Sequence, residues 1–556
     1  MGIVTKIKEL DRLRQVVNIL FEEGFGYLIE KTKLKTHLFF HKRVNRKKFS
    51  ETPSSKDMPK RIRISMEKLG GSFVKLGQLL SLRPDLISKE YIEEFSRLQD
   101  NVKEVPYDDV VDIIEEEYGK KLKRVFLKFE KKPIASASVS QVHKAWLKNG
   151  KKVAVKIQRP LIEDIFETDI SLLKDLAGLI ERHYPELKVI NPRKLIKEFE
   201  NYSKKELDFT IEARNIEVFY NNFKSDKNVV IPEVYKKYSN KRILVAEFID
   251  GDKLTEIKDD SKFKLHKKNI VNSVSNSYLK QLFVFNTFHA DLHPGNILFL
   301  KYNKIALLDF GIVGHISHDL KEKVENLFIS LVSADRVMLA ESMIGLGFVK
   351  NDVNVEEFKN DLSEHLSQYY AAGLADIAIG NVLYDLITIA RKYEIDYPQN
   401  FILFVKSMIT IDGFVKEYYP EYDYMKYWKI YMNKILRKRK DPDHIISAVK
   451  ENAFELRNFI TDLPNNFKRF LNSKENHKIQ LDQRNIEQIE DSVNKSMSKV
   501  TYGLIIAALI LSSAFMLTKE AKNSIFGIPL ASVIFLMLAI LLFLVFLSSR
   551  NLKKGG

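Results

Sequence analysis

The chain contains no cysteine. That absence excludes a disulfide scaffold, a thiolate nucleophile and a Cys-ligated metal site, and it fits a reducing compartment. A secretory signal is also missing, because residues 1–34 scatter charges through their apolar positions and lack an uninterrupted apolar centre. Lys6 stands where a myristoylation motif needs Ser or Thr, so that modification is not expected. There is no internal repeat and no low-complexity tract. No zinc finger or aromatic RNA-binding signature accompanies the basic charge, and no nucleic-acid partner is expected.

What is present points to a folded, multidomain chain. Its 556 residues exceed the size of one core, and 45% of them are hydrophobic, which excludes wholesale disorder. The formal net charge of +16 suits phosphate-bearing partners or an anionic membrane surface. Residues 500–518 and 525–547 carry no charge. At about 1.5 Å per residue each can cross a hydrocarbon core of about 30 Å. Lys495 and Lys499 precede the first run, and Arg550, Lys553 and Lys554 follow the second. The sequence therefore predicts a two-helix transmembrane hairpin with both ends, and the preceding chain, in the cytoplasm.

Upstream, the hydrophobic period divides the chain. Residues 1–59 read as an amphipathic and basic helical region, and 60–122 as a helical extension broken at Pro84 and Pro106. A small β-rich lobe is expected over 123–249, with strands at 124–129, 138–147 and 152–157. Asn149 and Gly150 turn the chain between the last two. Residues 229–234 and 242–248 resemble another strand pair. A larger helical lobe follows over 250–440, with a hairpin at 296–299 and 304–308. Residues 441–498 are a polar helical linker to the hairpin at 499–550.

Chemistry concentrates in two motifs. His289, Asp291, His293 and Asn296 stand in one short loop, and Asp309-Phe310-Gly311 follows. Phosphoryl transfer needs a carboxylate near the acceptor and oxygen ligands that hold Mg²⁺ against phosphates. Asp291 fits the base or acceptor-orienting role, and Asn296 and Asp309 fit the metal ligands. A metal site built from His289, Asp291 and His293 is the alternative reading. Lys156, at the end of Val153-Ala154-Val155, stands where a lobe strand presents the phosphate-clamping lysine. Its carboxylate partner is expected from a following helix. Glu212 is the candidate, one turn beyond Asp208.

With these residues the chain resembles the UbiB/ADCK (AarF-type) atypical protein-kinase-like family over roughly residues 60–320. The distinctive mark is Lys75-Leu76-Gly77-Gln78, the family's KxGQ motif. The resemblance implies an α+β, two-lobed protein-kinase-like fold whose N-terminal extension covers the cleft. Glu206 and Asp208 match the family's ExD motif, which the resemblance assigns to the extension or the metal. Ala135, Ser136, Ala137, Ser138, Val139, Ser140 and Gln141 match the Ala-rich loop that replaces a Gly-rich phosphate loop. Ser136 and Ser140 stand where Ala and Gly are more typical. Glu247 and Ile249 resemble the strand running into the adenine hinge. No Ala-Pro-Glu follows Asp309, so a peptide-docking activation segment is missing, against a signalling protein kinase.

The expected cofactors are ATP or ADP with Mg²⁺ or Mn²⁺. The expected function is a membrane-anchored atypical kinase or ATPase of the inner membrane, supporting ubiquinone-type isoprenoid-lipid metabolism. Prenyl-quinone intermediates and their biosynthetic enzymes are the partners this implies. A nucleotide-gated lipid-binding scaffold and a small-molecule phosphotransferase are the competing readings. Charge adds anionic lipid to the partners. Residues 31–70 hold 13 basic residues against 3 acidic, and 424–440 hold 7 against none, interleaved with Tyr424, Tyr427, Trp428 and Tyr431 as an interfacial helix would be. A solvated helix face explains that second patch equally well.

Overall fold

The computed structural model describes residues 3–31, 57–183 (except 82, 84–85 and 99–102), 191–257, 261–349 (except 334), 354–372, 379–422 and short stretches between 505 and 542. The chain divides into two units, Met1–Lys440 and Asp441–Gly556.

The first unit opens with helices. Helix α1, Ile3–Glu22, and α2, Gly26–Lys31, precede the extension, made of α3, Met58–Leu69, α4, Gly71–Ser81, and α5, Lys89–Phe95. The extension and α1 share one apolar core with Val16, Met66, Leu69, Phe73 and Phe95. The amphipathic face of α1 is thus spent on packing. Part of the basic patch at 31–70 is engaged as well: Arg63 bonds Glu94 and Glu67, and Lys68 bonds Glu23. Helix α6, Tyr107–Tyr118, and α7, Leu122–Val125, lead into the small lobe.

That lobe is an antiparallel sheet of β1, Phe126–Phe129, β2, Ala135–Ser136, β3, Ser140–Leu147, and β4, Lys152–Gln158. Every second residue along β3 and β4 is buried, as one-sided strands require. Gly150, at φ 82°, makes the turn between them. The strand expected at 124–129 begins only at Phe126, because α7 takes the residues before it. Helix α8, Ile162–His183, α9, Pro192–Glu206, and α10, Phe209–Phe223, come next.

The expected pairing of 229–234 with 242–248 is corrected. Strand β5, Val229–Val230, leaves for the large lobe, and only a single bridge joins Val234 to Ala246. Strand β6, Ile243–Glu247, pairs with β4 and puts Leu244 opposite Lys156. Both runs are short and apolar, so the local pattern could not choose their partners.

In the large lobe β7, Asp252–Lys253, and α11, Leu254–Ile257, lead to α12, Ser261–Phe283. Strands β8, Thr287–His289, β9, Ile297–Phe299, β10, Ile305–Leu307, and β11, Val313–His315, carry the motif loops. β9 and β10 form the expected hairpin; β10 also takes β5 in parallel, and β8 pairs with β11. Helices α13, His318–Ser333, α14, Arg336–Leu346, α15, Val355–Ala372, α16, Ile379–Lys392, and α17, Gln399–Tyr418, enclose a core around Phe288, Phe310, Phe328 and Phe404.

The basic patch at 424–440 and the linker at 441–498 lie outside the described residues. In the second unit helical stretches at 505–510 and 533–542 flank an antiparallel pair, Ser524–Ile525 with Ile528–Pro529. The expected second span thus begins in a strand pair, where Pro529 has no amide for a helix bond. Among the described residues no helix is long and apolar enough to cross a membrane. Of the expected spans, 11 of the 19 residues of 500–518 and 10 of the 23 residues of 525–547 fall outside them.

Candidate active site

The site is organised by α10. Asp208 caps its N-terminus, accepting hydrogen bonds from the Thr210 amide at 3.0 Å and the Thr210 hydroxyl at 2.6 Å. One turn later the Glu212 carboxylate takes both oxygens to Lys156 Nζ, at 2.9 and 2.8 Å. Lys156 also lies 3.8 Å from Asp309. Burial opposes charge on this lysine, but the Asp309 and Glu212 carboxylates outweigh it and hold the ammonium above its ordinary value.

Further along α10, Asn215 donates to the Phe310 carbonyl at 2.9 Å, and Phe219 packs on the Phe310 ring at 4.8 Å. Phe310 is fully buried, which turns Asp309 outward. Asp309 takes φ 53°, an uncommon left-handed conformation for a non-glycine residue. Its carboxylate accepts from the Gly311 amide at 3.2 Å and keeps about half its surface open, at 52%. The Lys156 ammonium holds it below the usual carboxylate range against burial.

Asp291 faces the same cleft. Its Oδ1 accepts from Lys406 Nζ at 2.9 Å, and its backbone carbonyl accepts from the Asn296 side-chain Nδ2 at 3.1 Å. Burial works to raise Asp291, but the Lys406 ammonium prevails and the carboxyl stays below its ordinary value. His289 is fully buried, and burial lowers it. One nitrogen bonds the Leu308 carbonyl at 3.1 Å, and the other accepts from the Asp291 amide at 3.1 Å. His293 takes the Gly295 amide at 3.2 Å. These bonds occupy His289 in holding the loop, so the metal site built from His289, Asp291 and His293 is not formed. Among the described residues no group of three or more His, Asp or Glu is arranged to hold a metal.

The extension reaches this cleft through Lys75, whose Nζ is 2.7 Å from Glu206 Oε1. Lys75 also lowers Asp309 through its charge. Gln78 instead donates to the Leu98 carbonyl at 3.1 Å, inside the extension. Gly77 sits where a Cβ would come within 2.2 Å of Leu98 and 2.7 Å of Met66, so close helix packing accounts for the glycine. The two halves of the ExD pair part company: Glu206 meets Lys75, whereas Asp208 is a helix cap.

The Ala-rich loop is a short hairpin. Ala135 pairs with Val142, Ser136 pairs with Gln141, and the Ala137 amide bonds the Ser140 carbonyl at 2.8 Å. Ser138, Val139, Ser140 and Gln141 are buried. Gln141 spends its side chain on the Val105 backbone, at 2.8 and 3.3 Å. Glu247 ends β6 and Ile249 lies half-buried two residues on, where the chain passes between lobes.

Sequence reasoning missed Lys406, Tyr202, Asn215 and Arg159. Lys406 had a readable signal, a lone cation inside the apolar run Phe401–Ile411, and an ionisable group there needs a partner. Burial pushes the Tyr202 phenol well above its ordinary value, and the Glu206, Asp291 and Asp309 carboxylates push the same way. No local pattern marks Tyr202, Asn215 or Arg159.

A small sheet with a lysine–glutamate pair, set against a helical lobe bearing the Asp291 and Asp309 loops, defines a protein-kinase-like fold of mixed α and β content. Comparison with known proteins is specific. The ABC1 atypical kinase-like domain matches residues 97–343, the UbiB helical domain 362–423, and the ABC1/UbiB kinase-like C-terminal domain 484–550. The probable protein kinase UbiB of Aliivibrio fischeri is 30% identical over 80% of this chain and 82% of its own. That of Marinobacter nauticus is 31% identical over 70% and 72%. An uncharacterized protein of Clostridium pasteurianum, from a hydrogenase 1 5′ region, is 29% identical over 96% and 97%. A solved Mycobacterium tuberculosis structure, a complex with erythromycin, aligns with 63% of this chain and 93% of its own at 21% identity and a TM-score of 0.44. The chain belongs to the ABC1/UbiB family of atypical kinase-like proteins.

Proposed function

We propose that this protein is a membrane-anchored, ATP-dependent atypical kinase or ATPase that acts in prenyl-lipid metabolism of the ubiquinone type. The observation that supports it is the Lys156–Glu212 pair at 2.8 Å with Asp309 only 3.8 Å from the same ammonium. A lysine held this way offers its charge to nucleotide phosphates without wandering into solvent. Asp309 and Asn296 fit a divalent cation that arrives with nucleotide, since Mg²⁺ takes one or two protein oxygens beside phosphates and water. The half-open Asp309 carboxylate, charged beside Lys156, is the chemistry such an ion needs. When bound, the ion neutralises charge on the phosphates. Asp291, ionised and steered by Lys406, then orients an acceptor hydroxyl or water.

The prenyl-lipid assignment rests on the family, and the membrane anchor on the apolar runs at 500–518 and 525–547. The second reading is a nucleotide-gated lipid-binding scaffold, favoured by the Lys75–Glu206 contact, which ties the extension to the end of α9. ATP hydrolysis by the full chain, with and without anionic liposomes and prenyl-quinone analogues, separates the two. Turnover that disappears in Asp309→Asn together with complementation supports the enzyme. Turnover lost with complementation retained supports the scaffold. No thermal shift with Mg-ATP or Mg-ADP overturns both.

A further inference from the structure

Arg159 follows β4 directly and turns back under the Ala-rich loop. Its Nε donates to the Ala137 carbonyl at 2.7 Å, and one terminal nitrogen donates to the Ser136 hydroxyl at 2.7 Å. The other terminal nitrogen donates to the Lys103 carbonyl at 2.9 Å, and the Arg159 backbone amide donates to the Val139 carbonyl at 3.0 Å. One residue therefore bonds three loop positions and the stretch that joins the extension to the small lobe. Gln141 makes a second tie to that stretch at Val105. Val139, at the loop tip, packs in the apolar core of the extension with Phe73 and Phe166.

A phosphate loop normally adapts because glycine leaves its backbone free. Here alanine and serine narrow that freedom, and a guanidinium fork with charge-assisted bonds fixes what remains. Ser136 supplies an acceptor that alanine, more typical at this position, lacks. We propose that Arg159 is a positioning residue: through Ser136 and Ala137 it sets the height of the Ala-rich loop, ties it to the extension, and thereby sets affinity for a Mg-nucleotide. This inference rests on the nucleotide-binding reading above.

The test uses the full chain with Ser136→Ala, Ser136→Thr and Arg159→Lys. Hydrogen exchange of residues 135–140 is measured without nucleotide, and Mg-ADP and Mg-ATP binding by calorimetry. Loss of one charge-assisted bond should speed loop exchange about tenfold in Ser136→Ala and weaken nucleotide binding by a similar factor. Ser136→Thr, which restores the hydroxyl, should recover both, and Arg159→Lys, which keeps charge but loses the fork, should not. An unchanged melting temperature in Ser136→Ala separates positioning from general support. Wild-type binding with unaltered variants overturns this inference alone. A wild-type chain that binds neither Mg-nucleotide overturns the nucleotide reading together with it.

Discussion

Lys406 Nζ donates to Asp291 Oδ1 at 2.9 Å, across 115 residues of chain. The lysine rides on α17 among Phe404, Val405 and Met408, all buried, and brings a cation to the Asp291 loop. The pair keeps Asp291 charged in surroundings that would otherwise favour its neutral form.

Replacing Lys406 with Met should leave that burial unopposed. Asp291 then rises above its present value, and the acid limb of turnover moves to higher pH. In the wild type the carboxylate is lost only as pH falls below the ordinary range, so turnover should be flat from pH 5 to 8 on its account. A pH–rate profile at saturating Mg-ATP checks this, and superimposable profiles would show that Asp291 does not need the lysine.

Lys75 and Glu206 should be coupled in function. Lys75→Ala alone should alter nucleotide affinity or turnover, because it removes the 2.7 Å contact and the charge felt by Asp309. Glu206→Gln should do much of the same, and the double variant should lose less than the two summed. A coupling energy of about 0.5–3 kcal/mol from the four nucleotide affinities is expected for groups in contact. Strict additivity would sever the extension from the site.

Arg12 tests how α1 is fastened. Its guanidinium meets fully buried Asp169 at 2.7 and 3.1 Å and the Leu69 carbonyl at 3.0 Å. Arg12→Ala strands a buried carboxylate, and denaturation should register a loss of about 3–5 kcal/mol. Arg12→Met with Asp169→Leu removes both charges and should recover much of it.

Asp412 gives the fold a pH dependence of its own. Burial pushes it up to about 7, with the Gly380 amide at 2.5 Å and Lys416 pulling back, and its Oδ1 has no hydrogen-bond partner among the described residues. Tyr278 also feels its charge. The folded value lies above the unfolded one, so the contribution to stability is full at acid pH. It is lost as pH rises from about 4 to about 7, by about 1.4 kcal/mol per pH unit. Asp412→Asn keeps an acceptor for Gly380 and should flatten this slope in thermal melts between pH 4.5 and 8.

What the sequence revealed divides by the range of the interaction. The strand–turn–strand around Asn149-Gly150, the β9–β10 hairpin and the pairing of Lys156 with Glu212 follow from short-range pattern and motif chemistry. Strand partners did not, since Val229–Val230 joins β10 rather than β6, where Val229 enters the apolar core with Ile305 and Leu307. Asp208 was read as a site residue because its motif pairs it with Glu206, yet its side chain is a helix cap. Arg159 was illegible for a related reason. Two of its three guanidinium partners are backbone carbonyls, those of Ala137 and Lys103, and carbonyls leave no residue-type signature.

Helix α10 holds Asp208, Glu212, Asn215 and Phe219 in succession, and these four secure its start, the anchoring lysine, the Phe310 carbonyl and the Phe310 ring. All four act through one helix, so a displacement of α10 that takes Phe219 off the Phe310 ring also takes Glu212 away from Lys156. A compound that shifts α10 disturbs Lys156 and Phe310 together, whereas one that wedges between Lys75 and Glu206 parts a contact that involves no residue of α10. For inhibitor design, the seam of the extension is the softer target.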